Sequence, residues 1–316
     1  MTKSTHKLKV DKRQVFIVII FILALYIILP QLSSFRLSWG HLKHLNIGWA
    51  IAAIALTLST YFWAALTYYF LSIKKLLYVE VILVQFAAMF INRLLPGGVG
   101  ALGANYAYLR HRNHSSANAS TVVAVNNTLG IIGHSLIVAI ALLFASPYSR
   151  HLITLSDSKN SHVLLIIGVI IVLGVLCGVI FFRSRIRKFS KGVMRELGSY
   201  AHHLDRLVGA LGSSMLLTLA NVLCLLCCMH ALGVNLPFVV VLLIFTFGLS
   251  TGTVTPTPGG LGGYEAGLVG GFVAYHIDSS TALAIALLFR FVSYWLALAL
   301  GGVAFGFSQH KQLFSS

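Results

Sequence analysis

Residues 258–265, with the sequence PGGLGGYE, interrupt an apolar segment, and a related sequence, PGGVGA at residues 96–101, interrupts another one upstream. Proline lacks a backbone hydrogen-bond donor and adjacent glycines weaken a helix interior, so neither stretch fits inside an unbroken helix. At membrane depth, broken helices persist where protein or a water-filled cavity surrounds the break. The two sequences therefore predict the tips of two inward-folded hairpins that face each other across a polar site.

The composition is that of a polytopic membrane protein. Of the 316 residues, 58% are hydrophobic and 9% are charged, which is far from the profile of a soluble domain. No polar stretch is long enough to form a separate domain, so residues 1–316 are treated as a single membrane domain. We expect an all-α protein with about six full spans and two broken or re-entrant helical hairpins.

The apolar segments give the order of these elements. Broken elements are predicted at about 79–108 and 238–275. Full spans are predicted at about 15–29, 47–73, 119–145, 162–182, 212–232 and 280–307.

A basic linker at residues 183–211 connects the two halves. Its apolar residues recur at three- and four-residue spacing, which is typical of an amphipathic helix lying on anionic lipid. We therefore expect anionic phospholipid to be a partner of residues 183–206.

The distribution of basic residues predicts the topology. There are 23 Lys and Arg residues against seven Asp and Glu. With a cytoplasmic N-terminus, seventeen of the basic residues fall in cytoplasmic segments and four in outside loops, a strong positive-inside bias. We expect an integral plasma (inner) membrane protein with both termini cytoplasmic, and no nucleic acid partner. Charge leaves open whether the hairpins dip into the membrane or cross it.

The two halves repeat one order of elements. A span, a broken element and a closing span occur at about 47–145 and again at about 212–307. The Pro-Gly-Gly motifs are 162 residues apart, and the Ser-Thr pairs that open the closing spans are 160 apart. By the count of basic residues, the first broken element enters the membrane from the cytoplasm and the second from outside, so the repeat is inverted. Inverted repeats with discontinuous helices are typical of transporters with a site near the midplane.

The order of apolar segments, the paired PGGxG breaks and the closing PGGLGGYE resemble the flippase-like transmembrane region of the lysylphosphatidylglycerol synthase (multiple peptide resistance factor) family. The resemblance extends over roughly residues 10–308. It implies movement of a lipid between leaflets. We expect a stand-alone member without the soluble synthase domain, so lysine transfer to lipid is not implied.

Two arginines, Arg93 and Arg290, lie inside apolar segments, where a charge needs a partner or a cavity. One hypothesis is that their guanidinium groups bind the phosphate of a lipid headgroup, which they can grip bidentately, with Asn92 and Tyr264 beside them. The alternative for Arg290 is an ion pair with Glu265. A weaker hypothesis is that Glu265 carries a proton that couples transport to a gradient.

The glycines at both tips are expected to allow close backbone approach and to present N–H groups to an anion. They are Gly97, Gly98, Gly100, Gly259, Gly260, Gly262 and Gly263. Uncharged polar residues near the breaks either line a headgroup path or satisfy backbone groups that the breaks leave unpaired. They are Asn92, Asn105, Asn126, Asn127, Thr251, Thr253, Thr255, Thr257 and Tyr264. For His134, inside a span, a hydrogen-bonded packing role is expected.

The favoured function is a lipid translocase in which the two inverted repeats alternate access to a phospholipid or lipid-linked headgroup. The alternatives are a secondary transporter of a small soluble solute and, less favoured, a membrane-embedded lipid-modifying enzyme. The enzyme alternative lacks a carboxylate pair or a metal cluster at membrane depth, so we expect no enzymatic activity, cofactor or metal. The sequence leaves open the lipid, the direction, the energy source and the oligomeric state.

Overall fold

The computed structural model describes residues 45–72, 74–95, 98–144, 204–311 and 313–314. Within these ranges every regular element is helical. The α-helices are α1 Ile47–Leu71, α2 Tyr78–Leu94, α3 Val99–His111, α4 Ser116–Leu143, α5 Leu204–Ala231, α6 Phe238–Val254, α7 Gly263–Ala274, α8 Ser279–Arg290 and α9 Leu296–His310. A 3₁₀ turn, Pro258–Gly260, precedes α7, and a π-helical turn, Phe291–Trp295, joins α8 to α9.

Four described helices are long and apolar enough to cross a membrane. They are α1, α4, α5 and the continuous helix Ser279–His310, which combines α8, the π-helical turn and α9. These helices coincide with four of the six predicted spans, and the prediction of an all-α polytopic membrane protein is confirmed. The other two predicted spans, at about 15–29 and 162–182, lie outside the described residues.

Helix α5 begins earlier than predicted, inside the basic linker. Residues 204–211 were assigned to the amphipathic surface helix, but they form the first turns of α5. Their apolar spacing continues into the span, so Leu207 and the buried Ala210 pack against the core of the first half. Residues 183–203 of the linker lie outside the described part of the chain.

Both predicted helix breaks are present. Helix α2 ends at Leu94 and α3 begins at Val99, while α6 ends at Val254 and α7 begins at Gly263. Each pair folds back on itself as a hairpin, with α2 packed along α3 and α6 along α7. Residues 96–97, at the first tip, lie outside the described residues.

The first helices of the two halves, α1 and α5, pack against each other in opposite directions. At one end the N–H of Asn46 donates to the carbonyl of Ala231 at 2.9 Å. At the other end Nη1 of Arg206 donates to the carbonyl of Ser72 at 3.1 Å. An antiparallel arrangement of equivalent helices is what an inverted repeat requires.

The closing helices of the two halves pack unequally. The α8–α9 helix lies along α2, where a Cβ on Gly301 would come within 2.7 Å of the Phe86 carbonyl oxygen, so glycine permits the approach. Helix α4, by contrast, touches α6 at few points. In the most apolar part of each helix, 61% of the residues are buried in α8–α9, against 17% in α4. A cleft therefore remains beside α4.

Candidate functional site

A cleft with polar groups in a largely apolar lining lies between the first hairpin, α4 and α5, and it continues towards the second hairpin. It consists of two adjoining cavities of about 490 and 230 Å³. The two cavities share Gly130, His134, Leu217, Thr218 and Leu249 as lining residues.

The two parts of the cleft differ in chemistry. The larger cavity is lined by carboxamide side chains from α2, α3 and α4: Gln85, Asn92, Asn105, Asn126 and Asn127. The smaller cavity contains both predicted arginines, Arg93 and Arg290, together with Tyr264. The cleft therefore connects an amide-rich chamber to two guanidinium groups.

Arg290 is 2% exposed and forms the ion pair that was left open as an alternative. Its Nε donates to Oε1 of Glu265 at 2.8 Å, and its Nη2 donates to the carbonyl of Gly259 at 3.0 Å. The other carboxylate oxygen of Glu265 accepts the N–H of Gly262 at 2.8 Å. Both oxygens of Glu265 are thus used to hold the second tip and Arg290 together.

Two tyrosines enclose the Arg290 guanidinium. Its Cζ lies 5.1 Å from the ring centroid of Tyr264 and 4.6 Å from that of Tyr294. Aromatic faces attract a cation at these distances, more strongly where water is excluded. Carboxylate, carbonyl and ring faces together offset the cost of burying this charge.

Arg93 has a different set of neighbours. Its Nη2 donates to the carbonyl of Ser293 at 3.0 Å, its own carbonyl accepts the Tyr294 hydroxyl at 3.1 Å, and its Cζ lies 5.1 Å from the Tyr294 ring centroid. Its Nε is buried without a hydrogen-bond partner. Among the described residues, no carboxylate lies within ion-pair distance of Arg93. Its charge is therefore unneutralised by the described part of the protein.

The partners of Arg93 lie in the π-helical turn that follows Arg290. Such turns inside α-helices occur frequently at functional sites. This one carries both Ser293 and Tyr294, which bind the end of α2. It links the two arginines through one short segment.

The described ends of the two hairpins lie side by side and in direct contact. A Cβ on Gly259 would lie 3.4 Å from Cδ of Arg93 and 2.3 Å from the Tyr294 ring. Gly259 also has a φ of +60°. Glycine is therefore required where the second tip meets Arg93.

Two other tip glycines sit where backbones approach closely. A Cβ on Gly100 would lie 2.6 Å from the carbonyl oxygen of Ile91, and a Cβ on Gly260 would lie 2.5 Å from that of Gly252. Each contact joins the two arms of one hairpin. The predicted role in close backbone approach applies at these positions.

The remaining tip glycines differ among themselves. Gly98 and Gly262 adopt positive φ values of 76° and 84° before α3 and α7. A Cβ on Gly263 would overlap the side chain of Thr255. Gly97 lies outside the described residues.

The uncharged polar residues divide into two groups. The asparagines line the cleft, and Asn92 also accepts the N–H of Ala101 at 3.3 Å across the first break. The threonines of the second hairpin instead donate their hydroxyls to nearby carbonyls. These are Thr251 to Phe247 and Gly248, Thr253 to Leu249, Thr255 to Thr251, and Thr257 to Leu261. Asn92 and Asn105 are thus held within the first hairpin, and the threonine hydroxyls are used in bonds to nearby backbone carbonyls.

His134 lines both cavities, which sequence reasoning missed. Its Nε2 lies 3.1 Å from Oγ1 of Thr246, and that hydroxyl donates its own proton to the Leu242 carbonyl. Nε2 must therefore be the donor, which leaves Nδ1 as the acceptor of the neutral ring. Nδ1 is buried without a partner in the described structure. The packing bond was foreseen, but the unpartnered Nδ1 was not.

Ser293 and Tyr294 were also missed as site residues. Tyr294 follows Arg290 by four positions, a spacing that puts two side chains on one helix face. This spacing could have joined Tyr294 to the arginine. No comparable signal pointed to the Ser293 carbonyl, which lies in the π-helical turn.

Comparison with known proteins gives the family. The sequence profile described as "Lysylphosphatidylglycerol synthase TM region" matches residues 14–301, which include nearly all the described helices. A UPF0104 membrane protein of Methanothermobacter thermautotrophicus is 36% identical over 73 residues, or 23% of this chain and 22% of the relative. The latter match thus spans about a fifth of the relative's length. On the profile match, the chain belongs to the lysylphosphatidylglycerol synthase transmembrane-region family.

Proposed function

We propose that this protein is a lipid translocase that moves a phosphate-bearing headgroup through the cleft while the acyl chains stay in the bilayer. The observation that carries the proposal is the position of Arg93. It lies where the two hairpin ends meet, it lines the cleft, and its Nε has no partner among the described residues. A phosphate at this point supplies the missing acceptor and the missing negative charge.

The proposal accounts for the cost of a charge at membrane depth. An unpaired guanidinium inside a membrane protein is expensive and is generally found facing a cavity or a partner. Arg290 has its partner in Glu265, so Arg93 is the group left to bind an anion. Planar guanidinium groups bind phosphate through paired hydrogen bonds.

The rim of the cleft supports a lipid rather than a soluble solute. Ile131 and Leu249 both line the larger cavity, yet they are 71% and 38% exposed. Apolar side chains that belong to both the cavity and the outer surface fit a mouth that opens towards acyl chains. A path for a soluble solute would instead be sealed from the bilayer.

The unequal packing of the closing helices supports alternating access. With α8–α9 against α2 and α4 away from α6, the cleft is open on one side. Closing α4 onto α6 while α8–α9 leaves α2 would expose the same arginines to the other side. Movement of this kind requires no covalent chemistry, and we propose that the chain is not an enzyme.

For the membrane setting, we propose an integral plasma (inner) membrane protein with cytoplasmic N- and C-termini, on the positive-inside bias. Anionic phospholipid is proposed as the partner of residues 183–206. Arg206, at the end of that segment, lies with Ser72, Lys74, Lys75 and one acidic residue, Asp205, around a surface pocket of about 500 Å³. These cations are placed to attract anionic headgroups.

The test is reconstitution of the purified protein into liposomes containing fluorescent phospholipids, with dithionite added outside. We expect label in the inner leaflet to become accessible in liposomes that contain the protein. Arg93→Ala should slow translocation by about 10- to 100-fold, since hydrogen bonds to charged groups contribute about 1.5–3 kcal/mol. Arg110→Ala is the matched control, because Arg110 is exposed on the same hairpin and bonds the carbonyl of His114.

Two results would overturn the proposal. One is normal translocation by a folded, inserted Arg93→Ala protein. The other is failure of every phospholipid to move while a soluble phosphate ester enters the liposomes, which would establish the solute transporter instead.

A further inference from the structure

We infer that the cleft selects an anionic headgroup that carries neutral hydroxyl groups, of the polyol phosphate or sugar phosphate class, and discriminates against headgroups that end in an ammonium. The inference rests on the proposed function, because it specifies what the same cleft carries. It depends on three features of the cleft: its charge, its unpartnered polar atoms and its amide lining.

The first feature is a positive charge that the lining does not neutralise. Arg93 and Arg290 both line the smaller cavity, and none of the described lining residues is acidic. Glu265 does not line either cavity, and its two carboxylate oxygens accept hydrogen bonds from Arg290 and Gly262. An ammonium group in the cleft would meet the uncompensated charge of Arg93 and no available carboxylate, so an aminoacylated headgroup is disfavoured.

The second feature is a pair of buried polar atoms without protein partners. The Nε of Arg93 is a donor and the Nδ1 of His134 is an acceptor, and both residues line the smaller cavity. A buried group left unpaired costs about 1–3 kcal/mol, so each atom favours a ligand that completes it. The donor fits a phosphate oxygen and the acceptor fits a hydroxyl. One ligand that satisfies both must carry the two groups together.

The third feature is a set of carboxamides with hydrogen-bonding capacity to spare. Gln85 donates to Asn105 at 2.7 Å, and Asn105 donates to the carbonyl of Ala101 at 2.9 Å, so these two are fixed within the first hairpin. Asn126 and Asn127, on α4, form no side-chain hydrogen bond within the described chain and line the larger cavity. A carboxamide both donates and accepts, which matches the dual character of a hydroxyl.

The size of the cleft suits such a ligand. Taken together, the adjoining cavities of about 490 and 230 Å³ fall in the range of ordinary small-molecule sites. The smaller cavity would take the phosphate and the larger one the polyol or sugar. The same chemistry occurs in a lipid headgroup and in a soluble phosphate ester, so the experiment includes both sources.

The experiment is competition binding to the purified full-length protein in detergent, with fluorescent phosphatidylglycerol as the probe. The competitors are phosphatidylglycerol, phosphatidylinositol, phosphatidylethanol, lysyl-phosphatidylglycerol and soluble glycerol 3-phosphate. Phosphatidylethanol has the phosphodiester charge without the hydroxyls, and the lysyl lipid adds ammonium groups. We expect the two hydroxylated anionic lipids to compete at about tenfold lower concentration than either phosphatidylethanol or the lysyl lipid, a difference equivalent to one or two net hydrogen bonds.

The matched variants address the amide lining directly. Asn126→Ala with Asn127→Ala should bring phosphatidylglycerol down to the affinity of phosphatidylethanol and leave phosphatidylethanol unchanged. Asn118→Ala, two turns earlier on α4 and outside the cleft lining, should preserve the preference. His134→Phe should reduce the same preference and provides a second variant if the double asparagine variant does not fold.

The outcomes separate this inference from the proposed function. Equal binding of the lysyl lipid and phosphatidylglycerol, or an unchanged preference in folded cleft variants, would overturn the inference even if lipids are translocated. Headgroup selectivity without lipid movement in liposomes would overturn the translocase and leave the selectivity standing. Competition by glycerol 3-phosphate as strong as that by the lipids would support the chemistry and assign it to a soluble ester.

Discussion

The contacts of α8–α9 with α2 and of α4 with α6 occupy corresponding places in the two halves, but they form at different heights. Tyr294 contacts Arg93, next to the first tip. His134 lies 160 residues before Tyr294, and it contacts Thr246. The position that corresponds to Arg93, 162 residues later, is Thr255. In the α4–α6 pair the contact is therefore nine residues before the position that corresponds to Arg93, or about 14 Å along a helix.

The cleft lies where the second half has the Arg290–Glu265 ion pair. Where α8–α9 packs against α2, Arg290 fills the space beside the second tip and is held by Glu265. In the first half, the position that corresponds to Arg290 is Gly130, which lines both cavities. The position that corresponds to Glu265 is Gly103, which has open space beside it. Where one half carries an internal ion pair, the other has a cavity. The two membrane arginines therefore differ in their surroundings: Arg290 has a carboxylate partner, whereas Arg93 has none among the described residues.

The largest expected effect comes from breaking the internal pair. Arg290→Ala leaves the Glu265 carboxylate buried without a cation, which should lower the free energy of unfolding by about 3–5 kcal/mol. Arg93→Ala removes one charge-assisted hydrogen bond and a ring contact but strands no carboxylate, so its cost should be smaller, about 1.5–3 kcal/mol. Thermal unfolding of both variants in the same detergent, followed by tryptophan fluorescence, measures the difference. Equal destabilisation would contradict the assigned roles.

A double variant is the control for this comparison. Arg290→Met combined with Glu265→Gln removes both charges at similar volume and should recover most of the stability lost in Arg290→Ala, because no buried charge is left alone. If the double variant unfolds as readily as Arg290→Ala, the loss came from packing rather than charge.

The next effect concerns the backbone at the tips. Gly260 has a φ of +67° and would bring a Cβ to 2.5 Å from the Gly252 carbonyl oxygen. Gly260→Ala should therefore cost at least about 2 kcal/mol, from left-handed strain and overpacking together. Gly103→Ala, in α3 with nothing within 4 Å, should change stability by less than about 1 kcal/mol and in the stabilising direction. The melting temperatures of the two variants test this prediction. A similar drop in melting temperature for both would mean that Gly103 is packed as tightly as Gly260.

A third prediction concerns the height of the α4 contact. In a background without native cysteines, His134→Cys with Thr246→Cys should cross-link readily with a short bifunctional thiol reagent. If α4 can pack against α6 as closely as α8–α9 packs against α2, His134→Cys with Thr255→Cys should cross-link more when the transported lipid is present. The cross-linked fraction of each variant, measured on quantitative gels, reports how often α4 contacts α6 at Thr246 and at Thr255. No cross-link at Thr255 under any lipid condition would contradict closure by the same contact.

Much of this arrangement could be predicted from sequence, because it depends on local chemistry. The PGG motifs predicted the breaks, and the apolar segments predicted the four described spans. The pairing of Arg290 with Glu265 was one of two alternatives, since burial decides it and a sequence does not give burial. The roles of Asn126 and Thr253 depend on how each helix is rotated about its axis. The unequal packing of the closing helices could not be predicted, because it depends on long-range contacts between the two halves that a single sequence does not give.

The smallest effect distinguishes the caps of the two closing helices. Asp278 caps α8 and accepts from Thr281, while the uncharged Ser115 caps α4. Hydrogen bonds from Ser280 and Thr281 lower the pKa of Asp278 to about 2, below its usual value of about 3.9.

A carboxylate with a lowered pKa stabilises the folded state above its unfolded pKa, and that contribution is lost as the pH falls from about 4 through about 2. Asp278→Asn keeps a capping side chain that does not titrate. The difference in melting temperature between wild type and Asp278→Asn should be constant from pH 8 to pH 5 and shrink below pH 4. Ser115→Asn serves as the counterpart on α4, and its difference from wild type should not change across the acid range. A difference at Asp278 that is unaffected by acid would mean that the carboxylate charge contributes nothing to the cap, and that the two closing helices begin alike.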